Sequence, residues 1–181
     1  MELYDTQSDE WMELSDINTG RHYHSSCNFD NKFIYLFGGI KNADKKYVNS
    51  IERLSFSMDN FMSKWDQINM NDSGLYINNS APIPSRQGSG MTQFSPNEIM
   101  IMGGFNGKFM TDYYVIKVNE SGFLHSISAM QRNNANQNLF PFQVPTVGDS
   151  SIRSVISIDW SGMNCMQFAN NSWNILMSVK N

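Results

Sequence analysis

Residues His22, His24, Cys27 and Asp30 have the types from which catalytic and metal sites are built. Side chains two apart on an extended strand share a face, so His22 and His24 are expected side by side. Two imidazoles hold a metal only with at least a third ligand, and the remaining histidine, His125, lies far along the chain. Cys27 follows His24 by three residues, the makings of a thiolate–imidazole nucleophile. Neither an oxyanion donor nor a residue to orient the base accompanies that pair. The expectation is a polar first strand and a small buried thiol. The sequence has no Asp-rich calcium loop and no phosphate-cradling Gly-rich loop followed by Lys and Ser/Thr. No metal or cofactor is expected.

The 181 residues suit one domain. Hydrophobic residues make up 40%, charged residues 17% and aromatics 13%, which supports a packed core and argues against disorder. The net charge of −4 gives no general basic field, so neither nucleic acid nor an acidic membrane surface is expected as partner. Apolar runs are too short to span a bilayer. The first residues, 1–16, carry Glu2, Asp5, Asp9, Glu10, Glu13 and Asp16, the reverse of a signal peptide. With only Cys27 and Cys165, a disulfide scaffold is excluded and a reduced, cytoplasmic setting is expected.

Two segments align without a gap, RHYHSSCNFDNKFIYLFGG from Arg21 to Gly39 and RQGSGMTQFSPNEIMIMGG from Arg86 to Gly104. The period is 86 − 21 = 65 residues. Each segment opens on Arg, carries Phe29 or Phe94 and Ile34 or Ile99 at matching places, and closes on the pair Gly38-Gly39 or Gly103-Gly104. A second marker, Trp-x-x-Leu/Ile, occurs at Trp11, Trp65 and Trp173. The apolar runs 33–37 and 99–102 suit strands covered on both faces. The stretches 47–54 and 112–118 are β-branched and aromatic, and read as the next strand. One repeat is thus four strands joined by polar hairpins.

In these residues the chain resembles the kelch repeat family: an Arg near the first strand, a hydrophobic run ending in a Gly pair, an aromatic third strand and the Trp of the fourth. The resemblance covers roughly residues 3–179. It implies an all-β, kelch-type β-propeller with one four-stranded blade per repeat. Blade strands are expected near 21–28, 33–37, 48–55 and 63–68, then near 86–93, 98–102, 112–118 and 122–128. Phe123 or Leu124 is expected to stand in for the second blade's missing Trp. A degenerate blade is expected over 139–180, with strands near 154–158, 164–168 and 172–179, and Asp159-Trp160 in place of the Gly pair. Residues 1–15 look like half of a preceding blade.

About three blades plus half of another make an incomplete ring, because propellers close with about four to eight. The chain is expected to be part of a longer polypeptide. The alternatives are completion by another chain or a second copy, and a tight four-bladed ring that uses the N-terminal strands. Arg21, Arg86, the Gly pairs and the three Trp residues read as repeat architecture. The copper-radical enzymes of the wider kelch superfamily need a Tyr, a His and a thioether-linked Cys, which cannot be assembled here. The favoured function is a non-catalytic protein–protein interaction scaffold, with a protein partner held by loops on one propeller face. The loops are 40–47 and 69–85 in the first blade, and 105–111 and 129–142 in the second. The residues picked as partner-binding are Lys45, Lys46, Tyr76, Ile77, Asn106 and Lys108. The alternatives are a fragment of a kelch-fold enzyme acting on sugars or small molecules, and a structural subunit of a larger assembly.

Overall fold

The computed structural model describes residues 1–55, 64–68, 83–131, 140–143, 153–159, 162–169 and 172–180, those from 130 onward as backbone alone. Among the described residues the fold is all-β, without helix. An N-terminal hairpin joins β1 (Glu2–Asp5) to β2 (Glu10–Glu13), with Tyr4 opposite Trp11 and their ring centroids 5.0 Å apart. A short ribbon pairs β3 (Arg21–His22) with β6 (Ile40–Lys41). The first sheet consists of β4 (Ser25–Phe29), β5 (Phe33–Phe37), β7 (Ile51–Ser55) and β8 (Trp65–Ile68). The second is built from β9 (Gly90–Ser95), β10 (Glu98–Met102), β11 (Asp112–Val118) and β12 (Leu124–Gln131). The third contains β13 (Phe140–Gln143), β14 (Arg153–Asp159), β15 (Gly162–Ala169) and β16 (Ser172–Lys180). Each sheet is an antiparallel meander in chain order, and β9 lies beside both β4 and β13.

The two-residue period of a strand explains how one short run serves two interfaces. In β5, Tyr35 and Phe37 point towards the second sheet, while Leu36 packs away from it with Leu54 and Trp65. In β10, Ile99 and Ile101 face the first sheet, while Met100 and Met102 lie on the opposite face with Phe94 and Tyr113. The main core therefore fills the space between the first and second sheets, with Phe29, Ile51, Ile83, Tyr114, Ile116 and Ile127 among its members. Ile83, expected in a long loop, is completely buried there.

Several boundaries differ from expectation. The first strand is not continuous from 21 to 28, because Tyr23 takes a left-handed conformation (φ 56°) and separates β3 from β4. His22 and His24 therefore do not share a strand face. The third strand of the first sheet starts at Ile51 rather than near 48, and β12 runs to Gln131, past the expected 128. The position of Trp65 is taken in the second sheet by Ile127, not by Phe123 or Leu124. Trp65 lies opposite Leu54, which lies opposite Ile34; one period later Ile127 lies opposite Ile116, which lies opposite Ile99.

The two sheets are joined at both ends of the strands. At one end the Gly39 N–H donates to the Arg86 carbonyl oxygen at 2.8 Å, the Arg86 N–H to Val48 at 3.2 Å and the Gly88 N–H to Tyr23 at 2.9 Å. At the other end the turn before β12 tucks under the first sheet. Arg53 donates to the Ser121 carbonyl at 3.0 Å with its guanidinium 4.3 Å from the Phe123 ring centroid, and the Tyr35 hydroxyl donates to the Gly122 carbonyl.

Gly38 has φ +71°, and a methyl group there would lie 2.6 Å from the Arg86 carbonyl oxygen; Gly107 has φ +97° but open space around it. Gly38→Ala should thus cost both left-handed strain and a clash, at least about 2 kcal/mol, whereas Gly107→Ala should cost about 1 kcal/mol. Chemical denaturation of both variants checks this. Equal losses would contradict the close approach of the sheets.

Candidate functional site

Beneath the loop end of the sheets lie two buried arginines with matching surroundings. Arg86 is fully buried. Its Nε donates to the Pro84 carbonyl (3.1 Å), Nη1 to the Gly103 carbonyl (2.9 Å), and Nη1 and Nη2 grip the two oxygens of Asp112 (2.7 and 3.0 Å). Arg21, one period earlier, donates Nε to Thr19 (3.1 Å) and Nη1 to Gly38 (3.2 Å), the positions equivalent to Pro84 and Gly103. Its carboxylate partner is Glu52, whose side chain is fully buried. Glu52 also accepts the backbone N–H groups of Asn18 (2.7 Å) and Thr19 (3.2 Å) and the Asn18 amide (3.0 Å).

The two carboxylates come from different pleats of the equivalent strand. Phe37 pairs with Ile51 as Met102 pairs with Tyr113, so Asp112 corresponds to Ser50 and Tyr114 to Glu52. In the first sheet Ser50 Oγ accepts from Arg21 at 2.9 Å, and the longer Glu52 reaches the guanidinium from two residues on. In the second, Asp112 supplies the charge, while Tyr114 lies 5.2 Å from the Arg86 guanidinium and donates its hydroxyl to Asp112 at 2.6 Å. Burial, then the neighbouring carboxylate, pushes the Tyr114 phenol up to about 12, so it stays a donor. Burial opposes ionisation of Asp112, yet hydrogen bonds from Arg86 and Tyr114 and the charge of Arg86 outweigh it and hold the carboxyl below its usual range.

Above these locks, two hairpin loops adjoin. Loop 40–47 is closed by a hydrogen bond from Lys41 N–H to the Lys46 carbonyl (2.9 Å) and pinned by Asn42 N–H to Gly20 (2.9 Å). Loop 105–111 is closed by the bridge between Phe105 and Phe109, and Phe105 also pairs with Gln87. Tyr47 and Phe105 meet edge to face with centroids 6.5 Å apart, and Phe109 stands 5.2 Å from Phe105. Phe109 is 53% exposed, and Tyr23, at the turn after β3, is 67% exposed.

Of the residues picked from the sequence, Lys45, Lys46 and Lys108 are exposed on these two adjoining loops, and Asn106 is half-buried in the turn between Phe105 and Lys108. Tyr76 and Ile77 lie outside the described residues. Sequence reasoning missed Tyr47, Phe105 and Phe109, which form an aromatic row across the two loops, and the exposed Tyr23. A Phe at each end of FNGKF, around an Asn-Gly turn, was the available signal.

The early candidates for chemistry do not converge. Among the described residues no three His, Cys, Asp or Glu side chains are grouped to hold a metal ion. His22 has its Nδ1 2.8 Å from the Asn42 amide oxygen, and burial, with Arg21 second, lowers the basicity of His24. Burial pushes the Cys27 thiol up to about 12, which keeps it protonated at neutral pH and unsuited to nucleophilic attack.

No protein-family model matches the chain, and no curated protein matches it.

The Arg86–Asp112 lock predicts a definite pH dependence. Because the folded carboxyl ionises more readily than the unfolded one, its stabilisation is present above the unfolded value of about 3.9 and is lost as pH falls through the folded value. Asp112→Asn should flatten that acid limb. At neutral pH it should destabilise by about 2 kcal/mol, less than a fully buried pair because the Asp112 side chain is 19% exposed. Denaturation midpoints of both proteins between pH 2 and about pH 7 check this.

Proposed function

We propose that the chain is a kelch-type propeller segment, each four-stranded sheet a blade, and that it works as a non-catalytic protein-interaction scaffold. Three features support the kelch reading. Arg and Gly-pair motifs recur with a period of 65 residues, their hydrogen bonds repeat at the same offsets, and the first strands of successive sheets lie side by side. Residues 1–15 are the outer half of a further blade, and 139–180 a degenerate one. Additional blades or another chain complete the ring. The half-buried free thiol of Cys27 is compatible with a reduced, cytoplasmic setting.

The observation that carries the interaction reading is the exposure of two large aromatic rings, Tyr23 and Phe109, each on backbone tied by hydrogen bonds to the junction of the two sheets. Large aromatics left in water beside fixed backbone cost little further entropy on binding and supply the anchors of protein interfaces. The mechanism is shape and loop chemistry, with no bond made or broken.

The test is a selection of binding peptides from a displayed random library against the full chain. Selected peptides should bind the Tyr23→Ala/Phe109→Ala double variant at least about tenfold more weakly. The variant should keep the parent's thermal unfolding, because neither ring belongs to the core. Peptides that bind both proteins equally, or a selection that yields no binder, would overturn the reading.

A further inference from the structure

Among the described residues the loop surface carries an excess of positive charge. Lys41, Lys45, Lys46 and Lys108 are exposed on the two adjoining loops against one exposed acid, Asp44. Among the described residues only Lys46 of the four makes an ion pair, a loose one to Asp44 at 3.5 Å, with the lysine side chain 79% exposed. This local excess sits in a chain of net charge −4. The acids are elsewhere: six of them lie in residues 1–16. The lysines neighbour the aromatic row in sequence, Lys45 and Lys46 directly before Tyr47 and Lys108 between Phe105 and Phe109.

We propose that this surface docks an acidic peptide segment of a partner protein, with carboxylates on the lysines and one apolar side chain against Phe109 and Phe105. The inference rests on the interaction reading above and adds the chemistry of the partner. Charge complementarity steers such a segment and fixes its orientation, while the aromatic contact supplies the desolvated anchor. A carboxylate peptide fits better than nucleic acid. Phosphate recognition favours the planar guanidinium fork, and Arg21, Arg53 and Arg86 are all buried in ion pairs or against rings. Lysines are mobile point charges suited to spaced carboxylates. The backbone of loop 40–47 is set in advance by the Lys41–Lys46 closure and by Lys45 in its left-handed turn (φ 60°), so docking needs no loop ordering.

The experiment uses the full chain and fluorescently labelled twelve-residue peptides, roughly one loop-spanning length. One is Glu-rich with a central Phe, a second replaces every Glu by Gln, and a third probe is single-stranded RNA. The Glu peptide should bind at least about tenfold tighter than the Gln peptide, and weaken as salt rises from about 50 to 300 mM. Lys45→Glu/Lys46→Glu should abolish that preference without changing thermal unfolding, since both side chains are in water. Phe109→Ala should weaken the Glu and Gln peptides alike. Equal, salt-independent binding of Glu and Gln peptides that is lost in Phe109→Ala would overturn the acidic preference and leave the docking surface standing. Absence of binding by every probe, together with a failed library selection, would overturn both. RNA binding as tight as the Glu peptide's, and lost in the lysine variant, would overturn the peptide assignment in favour of a nucleic-acid surface.

Discussion

A guanidinium with no access to water must find acceptors for its N–H groups, and much of this fold is arranged to provide them. Arg86 takes carbonyls from Pro84 and Gly103 and both oxygens of Asp112, so the entry to the second sheet, the end of β10 and the start of β11 are fixed around one side chain. Its own backbone does the rest. The Arg86 N–H and carbonyl bond to Val48 and Gly39 of the first sheet. One residue thus organises its own sheet through its side chain and holds the neighbouring sheet through its main chain. Burying an ion pair is costly, and apolar packing in the same space would often be as stable. A fixed, directional set of acceptors instead permits one register between strands and one approach of the two sheets.

The repeated lock shows which feature the architecture requires. Arg21 and Arg86 keep equivalent carbonyl acceptors, but the counter-charge moves from Glu52 to Asp112, one pleat apart. The extra methylene of Glu spans the added distance, and the vacated positions become Ser50 and Tyr114, which both hydrogen-bond into the same cluster. What recurs is a carboxylate oxygen at the guanidinium, whichever residue delivers it. The far end of the interface uses different chemistry, with Arg53 between the rings of Phe33 and Phe123 (5.4 and 4.3 Å) and Tyr35 reaching under to Gly122. With an apolar core between, the two sheets are clamped at both ends.

The parts legible from sequence were those governed by local rules. Runs such as FIYLF and EIMIM end in Gly pairs, and their boundaries as strands came out correctly because alternation, turn chemistry and length agree there. The left-handed Tyr23 was not legible, since an aromatic residue at positive φ contradicts local preference and is held by tertiary bonds to Gly88 and the β3–β6 ribbon. The replacement of Trp65 by Ile127 was hidden because the hairpin between the second and third strands is shorter in the second sheet, Phe37 pairing with Ile51 but Met102 with Tyr113, which moves the match along the sequence. Glu52 and Asp112 escaped notice for a similar reason: their spacing from the arginines is not constant. On the loop surface the lysines were picked for their place on the loops, while the aromatics that accompany them emerged only once Tyr47 and Phe105 were seen to bring two distant loops together.

If Arg86 keys the first and second sheets together, they form one cooperative unit that gives the loops a rigid base. Native-state hydrogen exchange of individual amides tests it most directly. The junction amides of Gly39, Arg86 and Gly88 should exchange only through the same global opening as the core amides of β5 and β10, with one shared free energy. Junction amides that exchange through a much smaller opening, or separate free energies for β5 and β10, would mean that the sheets open independently and that the lock does not join them.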